Sequence, residues 1–551
     1  MTTDRLRVCC AIVLGSIFAA HAAAQSVPKI LSQRGFATDV FLPDYSYAGY
    51  GFGLAPLPKT YPSVLNVADF GAIADDAIDD SAALARALTA AHATAGPVTL
   101  RYPAGRFIQS EVMLIERSDF SIEGAGSGKG GTEIYFPRPL RMVDKSQRLD
   151  ELKAYLSLEK KFQIEPSRNI NEPFSPYSWS GGFIWIQAPK TNVIVARTAA
   201  LKGIANAKTL TLSAISGKTN PFKRGDIIKI EWFARDGLRS ALLKSLYGEH
   251  GGKIGSRHWE DLNRSIVVQS TRVKRVSGNQ IEIADPLLHD INLKMPASVV
   301  PWTGLTEVGI RDLALVFAPG RSFGHHLEEG WNGIYINDVF NGWIESIRVR
   351  DADSAVLTYD SASLTVRNIL TEGRRVAHYA VHIGSVHNVL ATNVQIHNPV
   401  LHSLSFNTQS TRSVFQRATV WQQPVLDQHA GANHQNLFDN ITVSIKPRRV
   451  NDRVRYPLWD GSGAPYWQPG HGRFNTHWNL NVLVEVGAMP NETVLLTGLE
   501  EGPDARIVGV HGNREFKIDY RPEPYIERLN DDMRDVPSLY DWQLQRRKFP
   551  R

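Results

Sequence analysis

Short stretches of alternating apolar and polar residues recur through the middle of the chain, between residues 333 and 445. Each stretch is rich in β-branched side chains and leads into Asn, Asp or Gly, and copies begin near residues 333, 355, 380 and 404. The copies follow one another at a period of roughly 22–25 residues, which is typical of stacked solenoid repeats. Alternation with a period of two predicts strands, whereas a helical repeat would place its apolar residues three and four positions apart. The pattern therefore predicts an all-β fold, a right-handed parallel β-helix.

The rest of the chain divides into segments around these repeats. The repeat rhythm is interrupted over 138–300, where strand-like stretches at 209–232 and 272–287 flank a charged segment, and we interpret this part as a β-rich insertion that elaborates one coil. The predicted segments are a signal peptide at 1–24, an N-terminal arm at 25–60, an N-terminal cap with the first coils at 61–137, the insertion at 138–300, the main coils at 301–510 and a C-terminal tail at 511–551.

The first residues have the pattern of a secretory signal peptide. Arg5 and Arg7 precede an apolar run over 8–20, and small residues follow at 22–24. The run is shorter than the roughly 18 residues that a membrane-spanning helix needs. We therefore expect a secreted or periplasmic protein. Both cysteines of the chain lie in this leader, so the mature protein is expected to contain no disulfide.

The charge of the chain is mildly basic, with a formal net charge of +6. On an exported protein, a basic surface favours an anionic partner such as an acidic polysaccharide, a lipid headgroup or a nucleic acid, although a basic surface without functional meaning is equally compatible with this value. We predict an acidic polysaccharide as the partner, and neither a nucleic acid nor a membrane. The sequence leaves the oligomeric state open.

One block near the N-terminus resembles the opening of the pectate-lyase superfamily. Its elements are Val-Ala-Asp-Phe-Gly-Ala at 67–72, an Asp-rich turn at 75–81, an Ala-rich stretch at 82–93, Pro-Ala-Gly-Arg-Phe at 103–107 and Ile-Glu-Gly-Ala-Gly at 122–126. The resemblance implies a β-helix whose first coil is covered by an N-terminal capping helix. It implies little about chemistry, because lyases, hydrolases, epimerases and phage tailspikes share this architecture.

A second resemblance concerns the later coils. Pro-Gly-His-Gly at 469–472 and Trp-Asn at 478–479 are similar to the closing part of secreted bacterial β-helix proteins that include ulvan-lyase-like enzymes. This resemblance implies the cleavage of an acidic polysaccharide.

The repeat also serves as a ruler for finding candidate site residues, because side chains one coil apart stack about 4.8 Å from each other. Seven histidines fall between residues 378 and 434. Counting in steps of one repeat predicts one column with Arg350, Glu372, His397 and Gln422, a second with His378, Tyr379, His402 and Asp427, and a third with His382 and Asn407. A single histidine in such a coil usually serves the structure, whereas imidazoles beside arginine and glutamate add no core stability and favour a functional site.

The composition of this patch suits the β-elimination of a uronate polymer. That reaction requires a group that neutralises the C6 carboxylate, a base that removes the C5 proton and an acid that protonates the leaving O4. The predicted catalytic residues are His397 and His402 as base and acid, with Tyr379 or His378 as the other partner. The predicted substrate-binding residues are Arg374, Arg375, Gln422, Asn407, His382, His429, Glu372 and Trp467.

Two other functions remain open at this point. A glycoside hydrolase needs two carboxyl groups that flank the scissile bond, and the chain lacks the Asn-Thr-Asp and Arg-Ile-Lys motifs of polygalacturonase-like hydrolases although it has Gly-His-Gly at 470–472. A non-catalytic carbohydrate-binding or tailspike-like protein is the other alternative. No cofactor is predicted: Ca²⁺ is unsupported, because Glu372 and Asp427 are about two coils, or roughly 10 Å, apart.

Overall fold

The computed structural model describes residues 27–32, 41–162, 174–190, 195–213, 220–249, 261–429, 431–450, 453–460, 469–485 and 493–550. The predicted signal peptide at 1–24 and the predicted sugar contact Trp467 lie outside these residues. No helix in the described part is long and apolar enough to cross a membrane.

Two sheets of stacked parallel strands form the body of the protein, which confirms the predicted parallel β-helix. The longer sheet runs through Ser63–Asn66, Val98–Arg101, Phe120–Glu123, Leu305–Phe317, Val339–Arg350, Ala362–Glu372, Leu390–Ile396, Val414–Gln416, Leu437–Ile445, Thr476–Val484, Arg506–Gly512 and Tyr525–Leu529, with Gly105–Ile108, Thr132–Phe136 and Thr419–Val420 joined beside this path. The shorter sheet contains Met113–Ile115, Ile184–Ile186, Asn332–Asn337, Ser354–Tyr359, Ala377–Ile383, Val400–Asn407, Leu426–His429 and Trp459–Asp460.

The register of these strands confirms the predicted step. Ile344, Val366, Ala391, Phe415 and Phe438 are partners on successive coils, and each follows the last by one repeat of the sequence pattern. All five side chains are buried between the sheets. The apolar positions of the repeat thus form the vertical columns of the core.

Left-handed backbone conformations bend the strands of the longer sheet at the same position in each coil. Ser346, Asn368, Asn393, Arg417 and Asn440 have φ between 52° and 56° and occupy equivalent positions on successive coils. Asn adopts this conformation more readily than most residues, and Asn393 Nδ2 also donates a hydrogen bond of 2.8 Å to Asn368 Oδ1. The recurring Asn of the sequence pattern therefore marks a corner of the coil.

The helix Ser81–Ala93 covers the N-terminal end of the solenoid, as the superfamily resemblance implied. Its buried face is made of Ala83, Leu84, Ala87 and Ala91. Such a cap removes the open end of the solenoid, where strand edges and core side chains would otherwise meet water.

A closed six-stranded barrel is inserted between the first coils and the main coils. Its strands are Thr198–Gly203, Thr209–Leu212, Ile227–Phe233, Ser265–Ser277, Gln280–Ile283 and Ala297–Pro301, with the helix Ala241–Tyr247 between the third and fourth. The barrel is thus shorter than the predicted insertion at 138–300. The difference arises because Ile184–Ile186 pairs with coil strands on both sides and belongs to the solenoid.

A buried polar network fixes the barrel to the solenoid. The carboxylate of Asp285, a barrel residue, accepts hydrogen bonds from Gln269 (2.9 Å), from His387 on the solenoid (2.7 Å) and from Asn388 (3.1 Å). Arg412 of the solenoid donates to the carbonyl oxygen of Pro286 at 2.7 Å. His387 therefore has a structural role at this contact.

The two chain ends pack together along the longer sheet. In the N-terminal segment, Tyr45 Oη donates to Thr476 Oγ1 (2.8 Å), and Tyr540 of the C-terminal helix Leu539–Lys548 donates to the Ala48 carbonyl (2.9 Å). The last coil strand, Tyr525–Leu529, lies within the predicted tail at 511–551, because it still pairs with Arg506–Gly512.

The carboxylate of Asp439 anchors the C-terminal helix to a coil strand. It is fully buried and accepts hydrogen bonds from Ser538 Oγ (2.5 Å), Leu539 N (2.9 Å) and Tyr540 N (3.2 Å). In D439A these donors lose a buried acceptor, so we expect the free energy of unfolding to fall by about 1–3 kcal/mol. The exposed Asp535 of the same segment is the matched control, and D535A should change stability by about 0.5 kcal/mol or less. Equal urea midpoints for the two variants would contradict this role.

Candidate active site

A cluster of imidazole and phenol rings lies on the shorter sheet, where Ala377–Ile383, Val400–Asn407 and Leu426–His429 run side by side. A loop before Asn332–Asn337 contributes further members. We call this group the imidazole cluster; it consists of His325, His326, Glu328, His378, Tyr379, His402, Asp427 and His429.

His402 stands at the centre of the cluster. Its Nδ1 lies 3.3 Å from Asp427 Oδ2, and its Nε2 lies 3.5 Å from His325 Nε2. Its ring stacks on Tyr379 with centroids 5.2 Å apart, and the His429 ring meets it edge-on at 4.9 Å. His402 therefore has an anionic partner on one nitrogen and an imidazole partner on the other.

Asp427 is the buried anion of the cluster, with its side chain fully shielded. Its Oδ2 accepts a hydrogen bond from Ser405 Oγ at 2.6 Å and lies 3.3 Å from Nδ1 of both His402 and His429. Burial alone would raise the pKa of this carboxyl, but the two histidines hold the pKa of Asp427 well below its ordinary value. The carboxylate is consequently charged and stabilises positive charge on either imidazole.

A second carboxylate–imidazole pair lies next to the first. His378 Nδ1 is 2.8 Å from Glu328 Oε1, and Glu328 Oε2 accepts a hydrogen bond from Ser178 Oγ at 2.6 Å. Both His378 and Glu328 are buried. Burial, with the neighbouring imidazoles, lowers the pKa of His378 well below its ordinary value. His378 is therefore a neutral ring that packs against Tyr379 (centroids 4.4 Å apart).

Tyr379 remains protonated in this setting, because burial raises its pKa well above the ordinary value. Asn407 Nδ2 donates a hydrogen bond of 3.2 Å to Tyr379 Oη, which leaves the phenol proton for another acceptor. On the far side, His382 accepts a hydrogen bond from Tyr359 Oη at 3.1 Å, and burial lowers the pKa of His382 to about 3. Tyr379 thus lies between the neutral ring of His382 and the contact that His402 makes with the Asp427 carboxylate.

The cluster opens to solvent at His325 and His429. His325 is exposed, and the His429 side chain retains 18% of its accessible surface. Desolvation and the nearby His402 lower the pKa of His325. Beside His325, the His326 ring stacks on Phe174 with centroids 4.3 Å apart. A substrate would approach from this side.

Two groups of side chains in the cluster could hold a metal ion. They are His325, His326 and His378, and His402, Asp427 and His429, with ligand atoms within 4.8 Å of one another in each group. Imidazole nitrogens with one carboxylate suit zinc or another transition ion better than Ca²⁺, which prefers oxygen ligands.

The structure brings together six of the predicted site residues: His378, Tyr379, His382, His402, Asn407 and His429. The exact columns differ from the predicted ones. His382 pairs in register with Ser405, and Asn407 pairs with His429, because these two coils are shorter than the step that the predicted columns assumed. Asp427 likewise lies opposite Ser405 and reaches His402 diagonally.

Three predicted residues lie on the longer sheet, away from the cluster. His397 is exposed and follows the strand Leu390–Ile396; its ring faces Trp421, with centroids 5.9 Å apart. Gln422 donates to the His397 carbonyl at 2.6 Å, and Glu372 is paired with Arg348 at 2.5 Å. The predicted pairing of His397 with His402 is therefore not formed, because the chain turns from one sheet to the other between them.

The two predicted arginines have different surroundings. Arg374 is exposed, whereas Arg375 is buried and donates to the carbonyl oxygens of Asp351 (2.8 Å), Arg321 (2.9 Å) and Ala318 (2.9 Å). The Arg375 guanidinium therefore fastens the loop that carries His325, and it has no role as an exposed carboxylate ligand.

The comparison with known families gives a match at the N-terminal end. The family model described as rhamnogalacturonase A/epimerase, pectate lyase-like matches residues 64–135, which contain the capping helix and the first coils. The predicted resemblance to the pectate-lyase superfamily is confirmed there, and the finer likeness to ulvan-lyase-like enzymes stays a prediction. No curated protein sequence matches the chain.

Several solved structures are similar to this chain at low identity. The tailspike protein gp49 from Pseudomonas phage LKA1 is 12% identical with a TM-score of 0.42, over 84% of this chain and 80% of that one. The Agl-KA catalytic domain is 13% identical with a TM-score of 0.38, over 86% and 58%. The DFA-IIIase from Arthrobacter chlorophenolicus A6 in complex with GF2 is 11% identical with a TM-score of 0.39, over 84% and 94%. Similarity at this level assigns no activity to the chain.

The neighbouring arginines provide a matched pair of variants. R375A removes the donor for three carbonyl oxygens and the cation 3.8 Å from the buried Asp353 carboxylate. We expect the free energy of unfolding to fall by about 3 kcal/mol, because a buried acid is left without its partner. R374A, one residue away on the exposed side of the turn, should change stability by about 0.5 kcal/mol or less. The prediction is wrong if chemical denaturation gives both variants the same midpoint.

Proposed function

We propose that this protein is an exported enzyme that cleaves an acidic, uronate-containing polysaccharide by β-elimination at the imidazole cluster. The observation that supports this most directly is the position of His402 between the Asp427 carboxylate and the ring of Tyr379, with its Nε2 next to His325, where the cluster opens to solvent. A proton acceptor with an anionic partner and a neutral proton donor thus stand side by side.

In this proposal His402 takes the C5 proton of the uronate. The imidazolium that forms is stabilised by Asp427, whose Oδ2 lies 3.3 Å from His402 Nδ1. A buried carboxylate also holds the ring in a fixed orientation, so little reorganisation is needed when the proton moves. The contact of His402 Nε2 with His325 Nε2, at 3.5 Å, directs the second nitrogen towards the open side of the cluster.

Tyr379 supplies the proton for the leaving O4 oxygen. Its high pKa keeps it protonated, and the hydrogen bond from Asn407 leaves its own proton available. His429 and His325, at the mouth of the cluster, provide N–H donors for the C6 carboxylate, whose neutralisation acidifies the C5 proton.

Hydrolysis is the second candidate function, because two carboxyl groups, Glu328 and Asp427, lie within the cluster. Each of them is taken by imidazole and serine partners: Glu328 by His378 and Ser178, and Asp427 by His402, His429 and Ser405. A hydrolase needs one protonated and one ionised carboxyl flanking the bond, and the depressed pKa of Asp427 suits only the second of these roles.

The test is the ultraviolet absorbance of the unsaturated uronide that elimination leaves at the new chain end. With a panel of uronate polymers, we expect the wild-type protein to raise the absorbance, and H402A and Y379F to lower the rate by about a hundredfold or more, the scale of general acid–base contributions. H92A, in an exposed residue of the capping helix, is the matched histidine control and should retain the wild-type rate. New reducing ends without absorbance would show hydrolysis, and binding without cleavage would show a non-catalytic protein.

The variant H397A distinguishes the imidazole cluster on the shorter sheet from the group around His397 on the longer sheet, which the sequence analysis placed in one site. Because it lies on the longer sheet beside Trp421, we expect H397A to keep at least half of the wild-type rate of absorbance increase, in contrast to H402A. Loss of activity in H397A with retention in H402A would move the site to the exposed strip of Glu372, His397 and Gln422.

A further inference from the structure

A second polar pocket lies where the inserted barrel meets the solenoid, and the imidazole cluster has no part in it. The cavity has a volume of about 150 Å³. Its lining includes Ser245 from the helix Ala241–Tyr247, His289 and Asn206 from the barrel, and His434 and Gln435 from the solenoid. The pocket is therefore formed by both parts of the protein.

A continuous chain of hydrogen bonds passes along one wall of this pocket. Ser245 Oγ lies 3.1 Å from His289 Nδ1, His289 Nε2 lies 2.9 Å from His434 Nε2, and His434 Nδ1 lies 2.8 Å from the Ala432 carbonyl oxygen. His289 and His434 are buried, while Ser245 is half-buried and reaches the cavity.

The partners determine where each proton lies. A carbonyl oxygen only accepts, so His434 Nδ1 must carry a proton, and the Nε2 of the neutral ring is bare. His289 Nε2 must then donate to it, which leaves His289 Nδ1 bare. The Ser245 hydroxyl consequently donates its proton to His289 Nδ1. This is the arrangement of a serine nucleophile with a general base that is oriented by a third group.

Burial favours the neutral state that this assignment requires. It lowers the pKa of His434 to about 4, and it holds the pKa of His289 well below the ordinary value, with His434 and Arg412 adding to the effect. Both rings are therefore uncharged near neutral pH, and His289 is able to accept a proton.

Two amide side chains that also line the cavity, Asn206 and Gln435, are held by Arg412. Arg412 donates to Gln435 Oε1 at 3.1 Å and to Asn206 Oδ1 at 2.9 Å. Because the guanidinium takes their oxygens, the NH₂ groups of Gln435 and Asn206 remain as the donors that this proposal assigns to the oxyanion.

We propose that Ser245 is the nucleophile of a second active site, which hydrolyses short-chain carboxylic esters such as an O-acetyl group. Ser245 Oγ adds to the ester carbonyl carbon while its proton passes to His289 Nδ1. The tetrahedral intermediate collapses with cleavage of the carbon–oxygen bond, and the leaving alkoxide takes that proton to become an alcohol. A water molecule then repeats the sequence on the acyl-serine, which releases the carboxylic acid and restores Ser245.

The volume of the pocket determines which acyl groups it accepts, and its charge affects the rate of ester hydrolysis. A cavity of about 150 Å³ is smaller than the roughly 300–1,000 Å³ of drug-sized ligand sites, so it accepts an acetyl group and excludes a long acyl chain. Positive charge on Arg412 opposes the imidazolium that forms on His289 during attack. We therefore expect slow hydrolysis, because the same imidazolium forms in acylation and in deacylation.

Two measurements test the site. Peptide mapping after treatment with a fluorophosphonate probe should place the label on Ser245, and p-nitrophenyl acetate should be hydrolysed at least tenfold faster than p-nitrophenyl octanoate. S245A should lose both the label and the acetate hydrolysis, and H289A should lose the hydrolysis. S157A, in a serine on the exposed face of the helix Asp150–Phe162, should behave as the wild-type protein. Unchanged hydrolysis in S245A would overturn the proposal.

Cysteine variants at residues 245 and 157 distinguish activation of the nucleophile from loss of structure. The chain has only Cys9 and Cys10, so a new thiol at residue 245 is identified by its own peptide. S245C should react with iodoacetamide faster than S157C although residue 157 is more exposed, because His289 Nδ1 would accept the thiol proton as the sulfur attacks. The excess should disappear in S245C combined with H289A. A slower reaction of S245C than of S157C would overturn the activation by His289.

Discussion

The pairing of each coil with the next is the constraint on which the rest of this protein depends. Parallel strands stack about 4.8 Å apart and alternate their side chains between two faces, so the length of each coil decides which residues meet. Tyr379 faces His402 because the coil between them has the length that brings the two into register, and Asp427 meets Ser405 because the next coil is slightly shorter. Insertion of a single residue into either coil would move an entire strand to the opposite face and separate the cluster.

The sequence was sufficient to predict the fold, because its signals are local and repeated. The alternation and the corner residues recur at every coil, and the Ala-rich stretch specifies the single cap. The candidate site was only partly predictable. The coils differ in length by enough to change a neighbour, which explains why His382 was expected opposite Asn407 and lies opposite Ser405. The fastening of the loop by Arg375, and hence the position of His325, depends on carbonyl oxygens that leave no mark in the sequence.

Hydrogen-bond partners and access to solvent, and not residue type, separate the histidines into functional and structural groups. His378, His382, His387 and His434 are all shielded from water, and in each case desolvation lowers the pKa. These rings are fixed hydrogen-bonding elements unless a reacting group lies within reach. His402 differs because it combines a charged carboxylate partner with a path to solvent through His325 and His429. A count of histidines along the chain contains no information about this difference.

Buried polar groups join the inserted barrel to the solenoid, and the Arg412 guanidinium makes several of these contacts. Arg412 of the solenoid donates to the Pro286 carbonyl of the barrel, and the same guanidinium binds the amide oxygens of Gln435 and Asn206. Docking of the barrel and formation of the second pocket are therefore one event. Ser245 and His289 belong to the inserted part, and His434 belongs to the solenoid. The chain of hydrogen bonds from Ser245 through His289 to His434 therefore forms only when the two surfaces meet. An insertion that served only to lengthen a coil would need no such alignment of buried polar groups, since an apolar contact between the two parts would avoid the cost of desolvating them.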